Sequence, residues 1–345
     1  MKAITFGSAM VDIIAVLKSE SIEQISLSNA HQQFLLVEPG RKVEANSITT
    51  NIGGGGINTA ASLAKLGCFV QPIVKTGNDP SRDHVIDHCE SFGLDVGRML
   101  LDPSESTGSA VMIASHEKNA AIFTQRGANT TLSNEDLANV GAMDADLVHI
   151  APLSGASANM LPAIAEKANQ AETFVSCNPG IRQITTKTNT VLAAARNLDL
   201  ISINGAEAAA LVPCLSALNE GLEWRAPAED ETVLRSQESI ISLKQFCEVF
   251  LRHGPANILV TYGGDGAYFH NGTDLVHQPI IPSDVSGTAG AGDSFVSTLA
   301  WGLKSGYRSE EALLLAAHNA SSVVSYVNTT DGLLARDELL KRAEL

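Results

Sequence analysis

Short apolar runs that alternate with helical stretches set the strongest limit on how this chain of 345 residues can fold. Runs typical of buried strands lie at Ala3–Phe6, Phe69–Val74, Leu147–Ala151, Thr173–Cys177, Leu200–Ile203 and Ile258–Tyr262. Helical stretches separate them, among them Asn58–Leu66 and a helix that Asp79 and Pro80 open, with the proline at a favoured first-turn position. This alternation predicts an α/β fold, with βαβ units and a mostly parallel sheet that has helices on both faces.

Two segments lack this rhythm and predict a small β-sheet beside the main one. Residues 31–52 have no helical period, and residues 108–125 have the pattern of a hairpin that turns at Glu117–Asn119, so the small sheet is expected from segments near 10–52 and 106–126. We expect them to form a β-sheet lid that closes over a substrate. A polar, acidic segment near 214–238 predicts a surface insertion, with a core role for Trp224 left open. Without repeats or low-complexity tracts, residues 1–345 are predicted to form a single domain.

Composition and charge exclude several classes of protein. Hydrophobic residues make up 44% of the chain and charged residues 18%, as is typical of globular proteins. The formal net charge of −15 would repel a polyanion such as DNA. The five cysteines include no C-x-x-C pair and indicate neither a disulfide framework nor a zinc ribbon. With no signal-peptide pattern and no membrane-length apolar run, we expect a cytoplasmic protein that binds neither nucleic acid nor membrane.

The segment Gly290-Ala291-Gly292-Asp293 carries the strongest chemical signal. It precedes a stretch of helical character, so its N–H groups would lie at a helix N-terminus, where unpaired donors and the helix dipole favour an anion. A carboxylate at Asp293 could then take a proton from an alcohol that attacks a phosphoryl group. The segment alone fits equally well a glycine-rich turn whose aspartate caps the helix.

A second glycine run, Gly53–Gly56, also precedes a predicted helix and would let a ligand rest on the main chain. Asn58 follows it and offers both a donor and an acceptor. Asp12 follows the first predicted strand, at the edge where parallel sheets bind ligands, and could accept hydrogen bonds from sugar hydroxyls. Each of these signals alone also fits an ordinary turn or a solvated surface residue. The first strand lacks a G-x-G-x-x-G after it, which opposes a nicotinamide enzyme.

Two later segments follow predicted strands. Asn204 and Glu207 are three residues apart at a strand-to-helix junction, where they would share one Mg²⁺ or, alternatively, cap the helix. The turn from Thr261 to Gly266 is rich in glycine and suits a nucleotide or no ligand in particular.

Together and in order, these segments resemble the ribokinase-like (PfkB) family of carbohydrate kinases over nearly the whole chain. The matching motifs are GSAMVD with Asp12, GGGGIN with Gly54, Gly55 and Asn58, the glycine-containing turn VKTGND at Val74–Asp79, Gly127-Ala128-Asn129, Asn204-Gly205-Ala206-Glu207 and GAGDSF. Their ordered occurrence is far more specific than any single motif. The resemblance implies a three-layer α/β/α sandwich with a small β-sheet lid.

The resemblance also implies an ATP-dependent kinase that phosphorylates a hydroxymethyl group of a sugar or sugar-like substrate. It makes Asp293 the catalytic base, gives the anion hole to Gly290, Ala291 and Gly292, and associates Mg²⁺ with Glu207. The implied substrate contacts are Asp12, Gly54, Gly55, Asn58 and Asn129, and the implied ATP contacts are Asn204, Thr261, Gly263, Gly266 and Asn319. A homodimer through the lid is a further expectation.

Three departures from the family pattern bear on function. Gly287 stands where the family usually has the first aspartate of D-T-T-G-A-G-D, so strong activation by potassium is not expected. The strand end Cys177–Gly180 lacks the acidic residue of the family's D-x-N-x-R, and Arg82 replaces a frequent glycine. Neither the base nor the anion hole is lost.

The identity of the acceptor stays open. A free sugar or sugar acid is the first hypothesis and a nucleoside the second, although no base-stacking aromatic residue is identified. A sugar phosphate is the third, because no cluster of Arg and Lys marks a second phosphate site. The main alternative to an enzyme is a homologue that binds sugar or nucleotide with weak turnover; Gly287 favours it and Asp293 opposes it.

Overall fold

The structure, a computed structural model, describes residues 1–17, 23–27, 32–36, 40, 42–114, 120–219, 221–228, 231–236 and 240–345. Its strands are β1 (Lys2–Phe6), β2 (Met10–Leu17), β3 (Glu23–Leu27), β4 (Gln32–Leu36), β5 (Ala45–Gly53), β6 (Phe69–Ile73), β7 (Lys75–Gly77), β8 (Leu100–Asp102), β9 (Gly108–Ala114), β10 (Ala120–Gln125), β11 (Leu147–Ile150), β12 (Phe174–Cys177), β13 (Leu200–Asn204), β14 (Val233–Arg235), β15 (Ile240–Ser242), β16 (Asn257–Thr261), β17 (Ala267–His270) and β18 (Leu275–Gln278). Its α-helices are α1 (Gly55–Lys65), α2 (Pro80–Ser91), α3 (Asn134–Asn139), α4 (Leu161–Gln170), α5 (Ile181–Thr186), α6 (Thr188–Ala195), α7 (Gly205–Leu218), α8 (Leu243–Leu251), α9 (Ala291–Lys304), α10 (Ser309–Val323) and α11 (Arg336–Arg342).

The central sheet has eight strands in the order β18-β17-β16-β13-β12-β11-β1-β6. The strands from β16 to β6 pair in parallel, and β17 and β18 add an antiparallel edge. Parallel sheets of this kind are covered on both faces, so their strands are apolar throughout. The predicted α/β fold with a mostly parallel sheet is confirmed, and each predicted strand lies within one residue of its expected bounds.

Two hydrophobic cores, one on each face of the sheet, make the molecule a three-layer sandwich. Side chains of a strand alternate between faces, as β1 shows. Ile4 and Phe6 pack into the core shared with helices α3 to α8, whereas Ala3 packs into the core shared with α1, α2 and α9 to α11. Burial of these two apolar surfaces is the main favourable term in folding.

A smaller sheet of four strands has the order β10-β9-β2-β5 and corresponds to the sheet expected from residues near 10–52 and 106–126. Strand β2 lies between β5 and β9, and its side chains alternate so that Asp12 and Ile14 share one face. The turn expected at Glu117–Asn119 lies outside the described residues. The closing of this lid over a substrate stays a prediction.

The segment predicted as an insertion begins later than expected, because α7 continues to Leu218. It then includes the hairpin of β14 and β15. Trp224 packs half-buried against the core, and its indole N–H donates to Ser216 Oγ at 2.7 Å. Trp224 therefore fastens this segment to the domain. In the described residues, no helix combines the length and the apolar character that a membrane span needs.

Candidate active site

Helices α1 and α9 both begin after a glycine with a positive φ angle, 96° at Gly54 and 81° at Gly290. A side chain would be strained in this conformation. A Cβ on Gly54 would also lie 2.5 Å from the Ser8 carbonyl oxygen, and one on Gly290 would lie 2.8 Å from the Thr329 Cβ. Glycine is therefore required at both helix starts, which lie close together in the fold.

The first N–H groups of α1 already have acceptors. Gly55 N–H donates to Ser8 Oγ at 3.2 Å, and Gly56 N–H donates to the Ser8 carbonyl oxygen at 3.1 Å. Ser8 thus caps α1 from the segment that follows β1. The predicted substrate contacts at Gly54 and Gly55 must use groups other than the Gly55 N–H.

The start of α9 is different. Within the described residues, the N–H groups of Gly290 and Gly292 have no acceptor, and Ala291 N–H has only a long hydrogen bond of 3.4 Å to the Thr288 carbonyl oxygen. Donors at the positive end of a helix dipole favour an anion. The donors of Gly290–Gly292 are therefore available to a ligand, and their role as an anion hole stays a prediction.

Asp293, in the first turn of α9, lies between the two helix starts. Its Oδ2 accepts a hydrogen bond from Asn58 Nδ2 at 2.8 Å. Its Oδ1 lies 3.7 Å from the position that a Cβ on Gly55 would take. Burial raises the pKa of Asp293 to about 6, and the hydrogen bond from Asn58 opposes this rise. A carboxyl group with such a pKa is suited to accept a proton near neutral pH.

A polar pocket forms around Gly53, where side chains distant in sequence meet. A Cβ on Gly53 would lie 2.7 Å from Asp12 Oδ2, and 3.8 Å from both Asn58 Oδ1 and Thr329 Oγ1. Glycine therefore keeps open the space between these oxygen atoms. Burial raises the pKa of Asp12. Carboxylate, amide and hydroxyl oxygens gathered in this way suit a ligand with several hydroxyl groups.

A cavity of about 360 Å³ opens on the other side of the α9 start. The turn after β16, the segment before α9 and one face of α10 form its walls. Its lining includes Thr261, Gly263, Gly266, Ala291, Gly292, Phe295, Ala317, Ala320, Ser321 and Val324, and no charged side chain of the described residues. A small, mostly apolar cavity beside helix N–H groups suits an uncharged ring attached to phosphate.

Asn319 lies on the correct helix but on the wrong face for its predicted ATP contact. It is fully buried, donates from Nδ2 to Thr298 Oγ1 at 2.8 Å, and accepts at Oδ1 from Leu334 N–H at 3.0 Å. These bonds join α10 to α9 and to the segment before α11. Other residues of α10 line the cavity in its place.

Asn129 also has a role different from its predicted substrate contact. Its Nδ2 donates to the carbonyl oxygens of Ala9 at 2.8 Å and Arg126 at 3.0 Å, and its Oδ1 accepts from Ala9 N–H at 2.9 Å. Ala9 and Arg126 lie where the chain enters and leaves the lid. The buried amide therefore ties two roots of the lid together, and its hydrogen-bonding groups are occupied.

Asn204 and Glu207 form a capping box at the start of α7, which was the alternative interpretation of their spacing. Asn204 Oδ1 accepts from Glu207 N–H, and Glu207 Oε2 accepts from Asn204 N–H, both at 2.9 Å. Burial raises the pKa of Glu207. The described residues contain no group of three or more His, Cys, Asp or Glu side chains that could hold a metal ion. The capped pair does not fit a direct Mg²⁺ site, and the metal role of Glu207 stays a prediction.

Sequence reasoning missed Ser8 and Thr329. Ser8 lies inside the GSAMVD motif, so its position directly after a strand and beside a glycine run could have marked it. Thr329 lies in the loop between α10 and α11, far from Asn58 in sequence, yet its hydroxyl donates to Asn58 Oδ1 at 2.8 Å. No local pattern marks Thr329, because only the folded chain brings the two residues together.

Comparison with known proteins identifies the family. The model of the pfkB family carbohydrate kinases matches residues 4–336. The chain therefore belongs to the PfkB family of carbohydrate kinases, as the ordered motifs predict, and is a phosphotransferase that acts on an alcohol group.

Individual relatives are distant. The bifunctional ribokinase/ribose-5-phosphate isomerase A of Fructilactobacillus sanfranciscensis is 24% identical over 349 residues, which is 98% of this chain but 55% of that protein. The chain thus spans about half the length of this relative. Arabidopsis thaliana ribokinase, solved with ribose and ATP, has a TM-score of 0.76 at 21% identity, covering 100% of this chain and 99% of its own. The nucleoside kinase of Methanocaldococcus jannaschii has a TM-score of 0.73 at 20% identity, covering 100% and 98%. These structures share the fold of this chain.

Proposed function

We propose that this kinase transfers the γ-phosphoryl group of ATP to a hydroxymethyl group of a sugar or sugar-like substrate, with Asp293 as the base. One observation carries the proposal. The Asp293 carboxylate lies beside the polar pocket around Gly53, and the helix that begins at its side borders the apolar cavity. The carboxylate thus lies between a site for hydroxyl groups and a site for a nucleotide.

The reaction follows from this arrangement. Asp12 and Asn58 hold hydroxyl groups of the acceptor so that the reacting hydroxyl reaches Asp293. As the acceptor oxygen bonds to the γ-phosphorus, its proton passes to Asp293, the bond from phosphorus to the β-phosphate oxygen breaks, and ADP leaves. The N–H groups of Gly290–Gly292 stabilise the charge on the phosphoryl oxygens throughout.

The donor is proposed to enter as ATP with Mg²⁺ on its phosphates. The apolar cavity takes the adenine, and Thr261, Gly263 and Gly266 are among the residues that line it. The Arabidopsis ribokinase structure contains ATP, which supports this choice of donor. The bound ion neutralises phosphate charge. The capping box of Asn204 and Glu207 fixes the neighbouring turn, and no step of the mechanism needs Glu207 as a ligand.

A free sugar or sugar acid is the first proposed acceptor. The side chains that meet around Gly53 are those of Asp12, Asn58 and Thr329, and they offer oxygen and amide groups for hydroxyls. A second phosphate group carries up to about two negative charges, so the carboxylate of Asp12 would repel it more strongly than it repels the single charge of a sugar acid. A sugar phosphate is therefore the least favoured acceptor.

A nucleoside is the second candidate, and one feature of the lid favours it. Strand pairing places Ile14, Met112 and Ile122 in one row across the sheet, on the face that Asp12 shares. These apolar side chains would cover a base while Asp12 holds the ribose. The nucleoside kinase of Methanocaldococcus jannaschii shows that the same fold serves such an enzyme.

We also propose that a second copy of the chain covers the opposite face of the lid. Phe123 and Ile48 are 63% and 68% exposed there, and strand pairing puts both on the face away from Asp12. Exposed apolar side chains of this size mark interaction surfaces. Light scattering is expected to give the mass of a dimer, and Phe123→Asp that of a monomer. A wild-type monomer at micromolar concentration would contradict this part of the proposal.

The activity is tested by ADP release from ATP with a panel of free sugars, sugar acids, nucleosides and sugar phosphates. We expect one class to support turnover, with kcat/KM rising with pH around a midpoint near the Asp293 pKa of about 6, because the base must be ionised to act. A thermal-shift panel with the same compounds reports binding separately. Binding of acceptor and ATP analogue without ADP release would indicate the binding homologue in place of the kinase.

A further inference from the structure

The side-chain amide of Asn58 lies between two partners. Its Nδ2 donates to Asp293 Oδ2 at 2.8 Å, and its Oδ1 accepts from Thr329 Oγ1 at 2.8 Å. Asn58 is buried in the first turn of α1. A hydroxyl, an amide and a carboxylate thus form one chain of hydrogen bonds that ends at the proposed base.

The carboxylate end of this chain selects which way the amide points, and the hydroxyl end stabilises that orientation. An ionised carboxylate only accepts hydrogen bonds, so it requires the NH₂ side of Asn58. The Thr329 hydroxyl can donate or accept, and by donating to Oδ1 it satisfies the oxygen that the amide turns away from Asp293. Without this hydroxyl, the buried Oδ1 of Asn58 would have no donor. The free-energy difference between the observed and the flipped orientation of the amide would then be smaller.

The position of the Thr329 hydroxyl is itself set by the start of α9. The Cα and Cβ of Thr329 lie 2.9 and 2.8 Å from the position that a Cβ on Gly290 would take. Hydrogen bonds within the loop fix its turn around Thr329. The N–H groups of Thr330 and Asp331 donate to Asn328 Oδ1 at 3.3 and 2.8 Å. The turn that forms the anion hole therefore also places the hydroxyl.

We propose that Thr329 is a positioning residue for the phosphoryl transfer: it holds the Asn58 amide so that Oδ2 of Asp293 stays hydrogen-bonded and Oδ1 alone receives the proton of the acceptor hydroxyl. The inference rests on the proposed function. The proposal also assigns the proton to one oxygen of Asp293. Oδ2 already accepts the hydrogen bond from Asn58, and Oδ1 is the oxygen that lies nearer to Gly55.

The charges around Asp293 leave Asn58 as the main polar influence on it. The elements around the pocket are α1, α9, β2, β5 and the loop of residues 325–332. Their charged groups at this end are Asp12 on β2 and Asp331 in the loop, whereas Lys65 and Lys304 lie in the last turns of α1 and α9. The hydrogen bond from Asn58 lowers the pKa of Asp293 while burial raises it. Loss of the amide orientation must therefore raise this pKa.

The test measures the ionisation of Asp293 with and without the hydroxyl. Protein labelled with carbon-13 at the aspartate carboxyl carbons is titrated by NMR, and Asp293→Asn identifies the resonance. In Thr329→Val we expect the titration midpoint to rise by about half to one pH unit, since hydrogen bonding to the ionised form favours that form. Thr329→Ser keeps the hydroxyl and should restore the wild-type midpoint. Thr330→Val, in the same loop, is the matched control and should leave it unchanged.

The same variants are compared in the pH dependence of kcat/KM. Thr329→Val should move the rising limb to higher pH by the same amount, because less of the base is ionised at a given pH, and should leave ATP binding unchanged. An unchanged NMR midpoint in Thr329→Val would overturn the proposal, as would a shift that Thr329→Ser does not restore or that Thr330→Val reproduces. The NMR titration needs no turnover, so absence of activity would count against the proposed function alone.

Discussion

Helices α1 and α9 begin in the same way in sequence but differ in what their first N–H groups bind. Each follows a glycine run, and each starts at a glycine with positive φ. At α1, Ser8 accepts from the N–H groups of Gly55 and Gly56. At α9, in the part of the chain that the structure describes, Gly290 and Gly292 keep N–H groups without an acceptor.

This difference separates a helix start that builds the site from one that binds. At a capped N-terminus the first N–H groups donate to acceptors inside the protein. Such a helix start can still position a side chain, and at α1 this side chain is Asn58. An uncapped N-terminus keeps donors and dipole for an anion, which for α9 is the proposed phosphoryl group. We therefore expect changes at α9 to affect turnover, and changes near α1 to affect acceptor binding or stability.

The largest effect is expected for Asp293→Asn. Loss of the base should lower kcat by ~10²–10⁴, the usual contribution of general-base catalysis, while ATP still binds. Steady-state kinetics and calorimetry with ATP measure the two quantities. Asp144→Asn, at an exposed surface ion pair with Lys2, is the control and should change neither. Near-normal turnover of Asp293→Asn would remove Asp293 as the base.

A smaller effect is expected for Asp12→Ala on the acceptor side. The acceptor hydroxyl would lose a charged partner in a half-buried pocket, which is worth about 1–3 kcal/mol, or roughly 5- to 150-fold in acceptor KM. The ATP KM should stay the same, because Asp12 is not among the described residues that line the apolar cavity proposed for the nucleotide. If the ATP KM rose while the acceptor KM did not, the acceptor site and the ATP site would have been assigned the wrong way round.

Ser8→Ala tests the capped helix start directly. Removing the hydroxyl takes the acceptor from Gly55 N–H, and an unpaired, partly buried donor costs about 1 kcal/mol or more of the free energy of unfolding. Urea denaturation measures this loss, and kcat should change by less than about threefold, which corresponds to ~0.7 kcal/mol at the transition state. A fall in kcat like that of Asp293→Asn, at unchanged stability, would show that Ser8 takes part in the chemistry.

The smallest effect is expected for potassium, which concerns the segment before α9. Gly287 supplies no carboxylate, and hard cations prefer oxygen ligands with negative charge. We expect kcat to change by less than about tenfold, or ~1.4 kcal/mol at the transition state, when a large organic cation replaces potassium at constant ionic strength. A much stronger activation would mean that another oxygen replaces the aspartate. The Tyr326 carbonyl oxygen, 3.0 Å from the position of a Cβ on Gly287, is the nearest.

Local features of the site could be predicted from the sequence, whereas contacts between distant residues could not. The glycine and the helix start at Gly290–Gly292 are local features and are present, while the role of this segment as an anion hole stays a prediction. Asn319 lies on the predicted helix, but its side chain points away from the cavity. Ala317 and Ser321, two positions away on either side, line the cavity. Residues two apart point in nearly opposite directions on a helix of 3.6 residues per turn. Asn129 lies close to the expected pocket, but its amide is bonded to the main chain of Ala9 and Arg126.

The sequence by itself determined the positions of the main strands along the chain, the α/β class, the family and the two glycine-rich helix starts, because each depends on residues that are neighbours in the chain or on a periodicity of two or 3.6. The tertiary structure alone decided that Ser8 caps α1, that Thr329 donates a hydrogen bond to Asn58, and that Asn204 and Glu207 bond each other at the start of α7. Each polar group has a fixed number of hydrogen-bond donors and acceptors. Which partners they bind depends on distances that only the folded chain sets. The spare donors of α9 are what that allocation leaves for a ligand.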